Sequence, residues 1–126
     1  MKLFHLADLH LGKCIHGYSM IEMGDQPYWM EQLLKKADEL KPDAVVISGD
    51  VYDRAVPSKE AVNLFDDLLT RFSERNIPVL IISGNHDSGT RLAFADKLLC
   101  NQGIYISGEI NREVKCVTLQ DTYGPV

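Results

Sequence analysis

Two hydrophobic periods alternate along this chain. Lys2 to Ala7, with apolar Leu3, Phe4 and Leu6, predicts a first strand. Residues 12–26 carry Gly12, Gly17, Gly24, Ser19 and Asp25 and predict a loop. From Pro27 the period lengthens: Met30, Leu33, Leu34, Ala37 and Leu40 mark one buried helix face, which Pro42 ends. Ala44-Val45-Val46-Ile47 is β-branched and lacks alternation, as a strand buried on both faces would be. Pro57-Ser58 then predicts a second helix, with Ser58 as N-cap. Its apolar positions are Ala61, Val62, Phe65, Leu68, Leu69 and Phe72, with Leu64 on the flank, and Asn76 and Pro78 stop it. Val79 to Ile82 predicts a third strand. A third helix, capped by Asp87 or Ser88, is expected to bury Leu92, Ala95, Leu98 and Leu99. Ile104 to Ile106 and Val114 to Leu119 read as further strands. Strands alternating with helices predict an α/β fold around a parallel sheet.

Composition narrows this picture only modestly. The 126 residues, 45% apolar, suit one ordinary globular domain. No apolar stretch approaches the length of a membrane span, and the N-terminus has no signal-peptide pattern. Cys14, Cys100 and Cys116 lack metal or disulfide spacing, so they read as reduced thiols in a cytoplasm. A net charge of -5 argues against a basic-groove nucleic-acid binder. It does not exclude a metal-dependent nuclease, because bound dications would offset acidic side chains locally.

The chemistry is concentrated where strands end. Asp8-Leu9-His10, Gly49-Asp50-Val51-Tyr52-Asp53 and Gly84-Asn85-His86-Asp87 each follow an apolar run. Side chains at the exits of neighbouring parallel strands converge on one crevice. Asp8 and His10, two residues apart at a strand end, are expected to point the same way, and a carboxylate with an imidazole suits Mn²⁺, Fe²⁺ or Zn²⁺. Two dications about 3.5–4 Å apart repel by roughly 18 kcal/mol at an effective dielectric of 20, so a two-metal site needs an anionic bridge. Asp50 is the best-placed candidate. Asp53 is expected to orient a ligand or a bound water. Asn85 offers a neutral amide oxygen, and His86 can contact a phosphate or donate a proton near neutral pH. Asp87 reads as structural, satisfying backbone N–H groups. Each motif taken singly also fits a turn, a helix cap or a surface charge.

Together the three motifs resemble the DxH…GDxxD…GNHD pattern of calcineurin-like metallophosphoesterases. Residues 4–13, 50–57 and 84–92 are similar to the versions found in the SbcD exonuclease subfamily. That resemblance covers Met1 to at least Ile106. It implies a Mn²⁺-dependent 3'-5' exonuclease and endonuclease acting on DNA in repair and recombination, paired with an SbcC-like ATPase. By family role, Asp8 and His10 would hold a first cation, Asp50 would bridge, Asn85 would hold a second, and His86 would be catalytic at the scissile phosphate. Asp53, Asp87 and Arg54 would support these groups or the substrate. A homodimer would form through helices at about Ser58–Glu74 and Ser88–Leu99, with Leu64 and Phe94 as spare apolar contacts.

One departure shapes the expectation. The family's site is completed by three histidines after the third motif, whereas the histidines here are His5, His10, His16 and His86. Residues 1–126 therefore read as a partial domain, the N-terminal half of an αββα sandwich. The second cation site would be incomplete, the activity weak or absent, and one sheet face uncovered. Two other readings are a different phosphoesterase of the same superfamily and a non-catalytic dimerisation or partner-binding module.

Overall fold

Parallel pairing in register assembles the apolar runs into one four-stranded sheet. The computed structural model describes residues 1–108 and 116–126. Strands β1 (Leu3–Ala7), β4 (Ala44–Ser48), β5 (Val79–Ile82) and β6 (Ile104–Ser107) lie side by side in that order, all parallel. Helix α1 (Asp25–Leu40) crosses from β1 to β4, and α2 (Lys59–Glu74) from β4 to β5. The strands add in one direction, so crossovers of one hand place both helices on the same face.

Register decides what each face carries. Phe4, Val45, Val79 and Ile104 form one row across the sheet, and Leu6, Ile47, Ile81 and Ile106 the next. These rows meet Met30, Leu34 and Ala37 of α1 and the apolar face of α2 in a single core. Ser58 caps α2 as expected, its hydroxyl accepting the Ala61 N–H at 3.2 Å. The opposite rows, His5–Val46–Leu80–Tyr105 and Ala7–Ser48–Ile82–Ser107, are half-buried or exposed. The expectation that Ala44 to Ile47 is buried on both faces holds for Ala44 but is corrected at Val46, which stays half-exposed because both long helices lie on one side. A groove of about 420 Å³ opens on the other face, lined by Val46, Leu80, Ile82 and Tyr105 of the sheet and by Asp96, Lys97 and Cys100 beside it.

Several boundaries differ from those read in the sequence. Helix α1 begins at Asp25, ahead of Pro27, behind Gly24 at φ 90°. Residues 12–26 include a small hairpin, β2 (Cys14–Ile15) with β3 (Tyr18–Ser19). Leu64 is core at 8% exposure, while Val62 is 43% exposed, reversing their assigned places. The third helix is two short turns, α3 (Gly89–Leu92) and α4 (Asp96–Leu99), broken by Ala95 at φ 61°. That break rotates the later residues off the Leu92 face, so Leu92 alone of the four is buried and Leu98 is 72% exposed. Residues 116–119 form no strand, and the rest of the run beginning at Val114 lies outside the described residues. A hairpin of β7 (Gln120–Asp121) and β8 (Gly124–Pro125) follows instead. Its Asp121 carboxylate lies 3.0 Å from the Met1 ammonium, beside β1.

Two forked ion pairs clasp α1 to α2. Arg71 grips Glu31 through both guanidinium arms, and Arg75 grips Asp38 at 2.7 and 3.0 Å. Hydrogen bonds from Arg71 hold the Glu31 carboxyl below its ordinary range, and Arg75 does the same for Asp38. A folded pKa below the unfolded one contributes stability above the unfolded value, which is lost as pH falls through the folded value. Acidification below about pH 4 should therefore lower the unfolding temperature more steeply in the parent chain than in a Glu31→Gln/Asp38→Asn double variant. Equal slopes in thermal scans would refute the clasp's contribution.

Candidate metal centre

The site is built by backbone pairing that continues past the strand ends. Asp8 N–H donates to Gly49 O at 3.2 Å, His10 N–H to Asp50 O at 2.9 Å and Leu11 N–H to Val51 O at 2.9 Å. Asp53 N–H returns to Leu11 O at 3.1 Å, so the first two motifs are zipped together. The expected strand-pleat alignment of Asp8 and His10 is corrected here, because β1 ends at Ala7. Asp8 at φ 54° and His10 at φ 43° are left-handed, as is Asp50 at φ 45°. Convergence comes from this unusual loop and not from a two-residue strand repeat. Such conformations are disfavoured for residues with a Cβ and persist when surrounding structure dictates them.

The third motif is pinned to the second by two carboxylates. Asp87 accepts N–H groups from Val51 at 3.1 Å, Tyr52 at 2.9 Å and Gly84 at 2.8 Å. Asp50 Oδ1 accepts the His86 N–H at 3.0 Å. Gly49, at φ 77°, faces Gly84 across this junction, where a Cβ on Gly49 would come within 3.2 Å of Gly84 Cα. Tyr52 packs edge-on against Phe65 at 5.6 Å, and burial pushes its phenol up to about 12, so it stays neutral.

Within this frame Asp8, His10 and Asp50 each present a donor atom, and the three atoms lie within 4.8 Å of one another. The Asp50 side chain is 13% exposed and its Oδ2 lies 3.9 Å from His10 Nε2. On the other side, His10 Nδ1 lies 3.4 Å from Asp53 Oδ1. That contact is not aligned as a hydrogen bond, and His10 Nδ1 is buried without a hydrogen-bond partner. Two carboxylates and a neutral imidazole, with a third carboxylate behind the ring, suit a divalent transition cation. The residues present therefore fit a metal.

Around the triad, His86 stacks edge-on to His10 at 5.3 Å, with its Nδ1 3.4 Å from Asp53 O. His86 and its neighbour Asn85 are exposed on the turn after β5. Arg54 is also exposed and lines a cleft of about 300 Å³ with Gly12, Cys14, Asp53 and Ser58. Gln26, on the first turn of α1, was not singled out by any spacing in the sequence. Its side chain nevertheless bonds Gly12 N–H at 3.0 Å and His10 O at 2.9 Å.

Comparison with known proteins points to one family. The calcineurin-like phosphoesterase family model matches residues 1–123. The chain is 40% identical over 111 residues to the SbcD component of the SbcCD nuclease of Staphylococcus epidermidis, covering 87% of this chain and 29% of that protein. It is 37% identical over 120 residues to the protein of the same name from Staphylococcus saprophyticus, covering 94% of this chain and 31% of that one. The chain thus spans about a third or less of the length of these relatives.

Proposed function

The chain belongs to the calcineurin-like phosphoesterase family, whose members bind divalent metals, and on that premise we propose that it is part of a metal-dependent DNA nuclease. The observation that carries this reading is the meeting of Asp8, His10 and Asp50 donor atoms within 4.8 Å at the ends of adjacent strands. The two relatives named as components of a nuclease favour a phosphodiester over a phosphomonoester substrate.

In this reading Asp8, His10 and Asp50 hold the first cation, with Mn²⁺ the preferred ion. Asp50, together with Asn85, would also hold a second cation. When bound, the pair supplies Lewis acidity and a nucleophile at neutral pH. Asp53, behind the His10 ring, keeps the imidazole oriented. His86, exposed beside His10, contacts the scissile phosphate and donates a proton toward the leaving alkoxide. Arg54 at the cleft mouth meets the phosphate backbone as a bidentate donor. Two protein donors make the second site the weaker one, so these 126 residues alone hydrolyse DNA poorly. Pairing with an SbcC-like ATPase belongs to the same reading. A homodimer through α2 and the α3–α4 segment would use exposed Val62, Phe94 and Leu98, with Leu64 withdrawn into the core.

Calorimetric titration with Mn²⁺ at neutral pH should show one saturable site filling before a weaker second. With excess Mn²⁺, slow release of nucleotides from linear duplex DNA should exceed nitrophenol release from nitrophenyl phosphate. Absence of saturable binding at millimolar Mn²⁺ would overturn the metal reading, and a preference for the monoester would overturn the nuclease reading.

A further inference from the structure

The segment that carries His10 is irregular, and a single side chain outside the three motifs satisfies much of its backbone. We infer that Gln26 is a positioning residue, a peg that holds the Asp8–Gly12 loop in the shape that brings His10 to Asp8 and Asp50. Gln26 Oε1 accepts the Gly12 N–H at 3.0 Å, while Nε2 donates to His10 O at 2.9 Å and to Leu9 O at 3.4 Å. One amide therefore meets three polar groups of a four-residue stretch, with its acceptor and its donor each used.

The loop needs such support. Asp8, His10 and Gly12 are all left-handed, at φ 54°, 43° and 87°, so the backbone alternates in and out of a sparsely populated region. A regular strand or helix would satisfy its own N–H and C=O groups, but this backbone does so only in part. Pairing with the second motif takes the N–H groups of Asp8, His10 and Leu11, and Lys13 N–H reaches His10 O at 3.1 Å. The Gly12 N–H is met by Gln26 alone among the hydrogen bonds of this loop, and leaving this partly buried donor unmet would favour a different backbone path.

The peg is also well anchored. Gln26 lies at the second position of α1, where its own N–H bonds Met20 O at 3.1 Å. The same helix is fixed in the core through Met30, Leu34 and Ala37. Position therefore passes from the packed helix, through the amide, to the loop and its imidazole. A Glu at this place would keep the acceptor for Gly12 but turn a carboxylate toward the Leu9 and His10 carbonyls. A Met would fill similar volume and remove both functions.

The inference rests on the metal reading for its consequence but not for its geometry, and two measurements on the 126-residue chain separate them. In metal-free protein, Gln26→Met should accelerate amide hydrogen exchange at Gly12 at least tenfold, with the thermal midpoint shifting only a few degrees. By electron paramagnetic resonance of free Mn²⁺, both Gln26→Met and Gln26→Glu should bind the ion about tenfold more weakly, the lower end for an outer residue that orients a ligand. Unchanged Gly12 exchange would overturn the peg itself. Accelerated exchange with Mn²⁺ affinity held within twofold would overturn its role in placing His10. A large stability loss in Gln26→Met alone leaves Gln26→Glu to decide, since that variant retains the Gly12 bond. Failure of the parent chain to bind Mn²⁺ would count against the proposed function, while the exchange measurement would still judge the peg.

Discussion

Asp50→Asn is expected to weaken Mn²⁺ binding at least about 100-fold, equivalent to roughly 2.7 kcal/mol, without unfolding the chain. The residue occupies the point where β4 leaves the sheet, and its two oxygens have different tasks. Oδ1 receives the His86 N–H at 3.0 Å, and Oδ2 faces His10 Nε2 at 3.9 Å. Asparagine keeps an oxygen for the His86 amide but removes the charge that a bridge between two dications requires. The metal-free protein should tolerate the change well, because Asp8, Asp50 and Asp53 crowd negative charge around one imidazole. A thermal midpoint equal to or above the parent's, together with lost affinity in calorimetry, is the expected pair of results. Affinity within fivefold of the parent would remove Asp50 from the site. Asp50→Ala, which also deletes the His86 acceptor, should lose stability as well.

Gly84→Ala is expected to be among the most damaging single methyl additions in the chain. A Cβ at this position would lie 2.1 Å from Asp50 Oδ1 and 2.2 Å from Asp50 N. Neither atom is the loose end of a flexible side chain. Asp50 is tied to His86, and its backbone belongs to the zipped junction of the first two motifs. Relief requires moving β4's exit away from β5's exit, which opens the crevice itself. We expect a cost of about 3 kcal/mol or more and a fall of about 10 °C or more in the thermal midpoint. Gly17→Ala is the matching control: its φ of +83° brings backbone strain, but no atom lies within 4 Å. A Gly84→Ala midpoint no lower than that of the control would show the junction to be softer than its contacts imply.

How much of this could be read in the residues alone depends on which force decides each element. The sheet strands and the two long helices are settled by apolar patterning, so Val79–Ile82 and the Ser58 cap were legible directly. The membership of Leu64 was not, because Val62 and Leu64 flank the same stripe and only the angle at which α2 lies on the sheet separates them. Ala95 gave no warning either: alanine favours helix, yet its backbone here is left-handed. Gly108 is likewise explained only by the fold, since a Cβ there would lie 2.0 Å from Gly89 O at the start of α3. At the site, the motifs named Asp8, His10 and Asp50, whose donor atoms meet, but not how they come together. The alternating left-handed backbone at Asp8 and His10 has no spacing signature, and Gln26 reaches the loop from the start of α1, as only the folded chain discloses.

The register of the sheet would make ion capture depend on a long-range pairing, that of β1 with β4. Leu3 pairs with Ala44, and Val45 in turn with Val79, so the partners are 41 and 34 positions apart. Asp8 and Asp50 come from opposite sides of the first of these closures, and a chain with β1 and β4 unpaired holds no cage. A cation at 100 times its dissociation constant would therefore reward the β1–β4 closure, by about 2.7 kcal/mol. It would act as a latch that distinguishes chains in which those two strands have met from chains in which they have not.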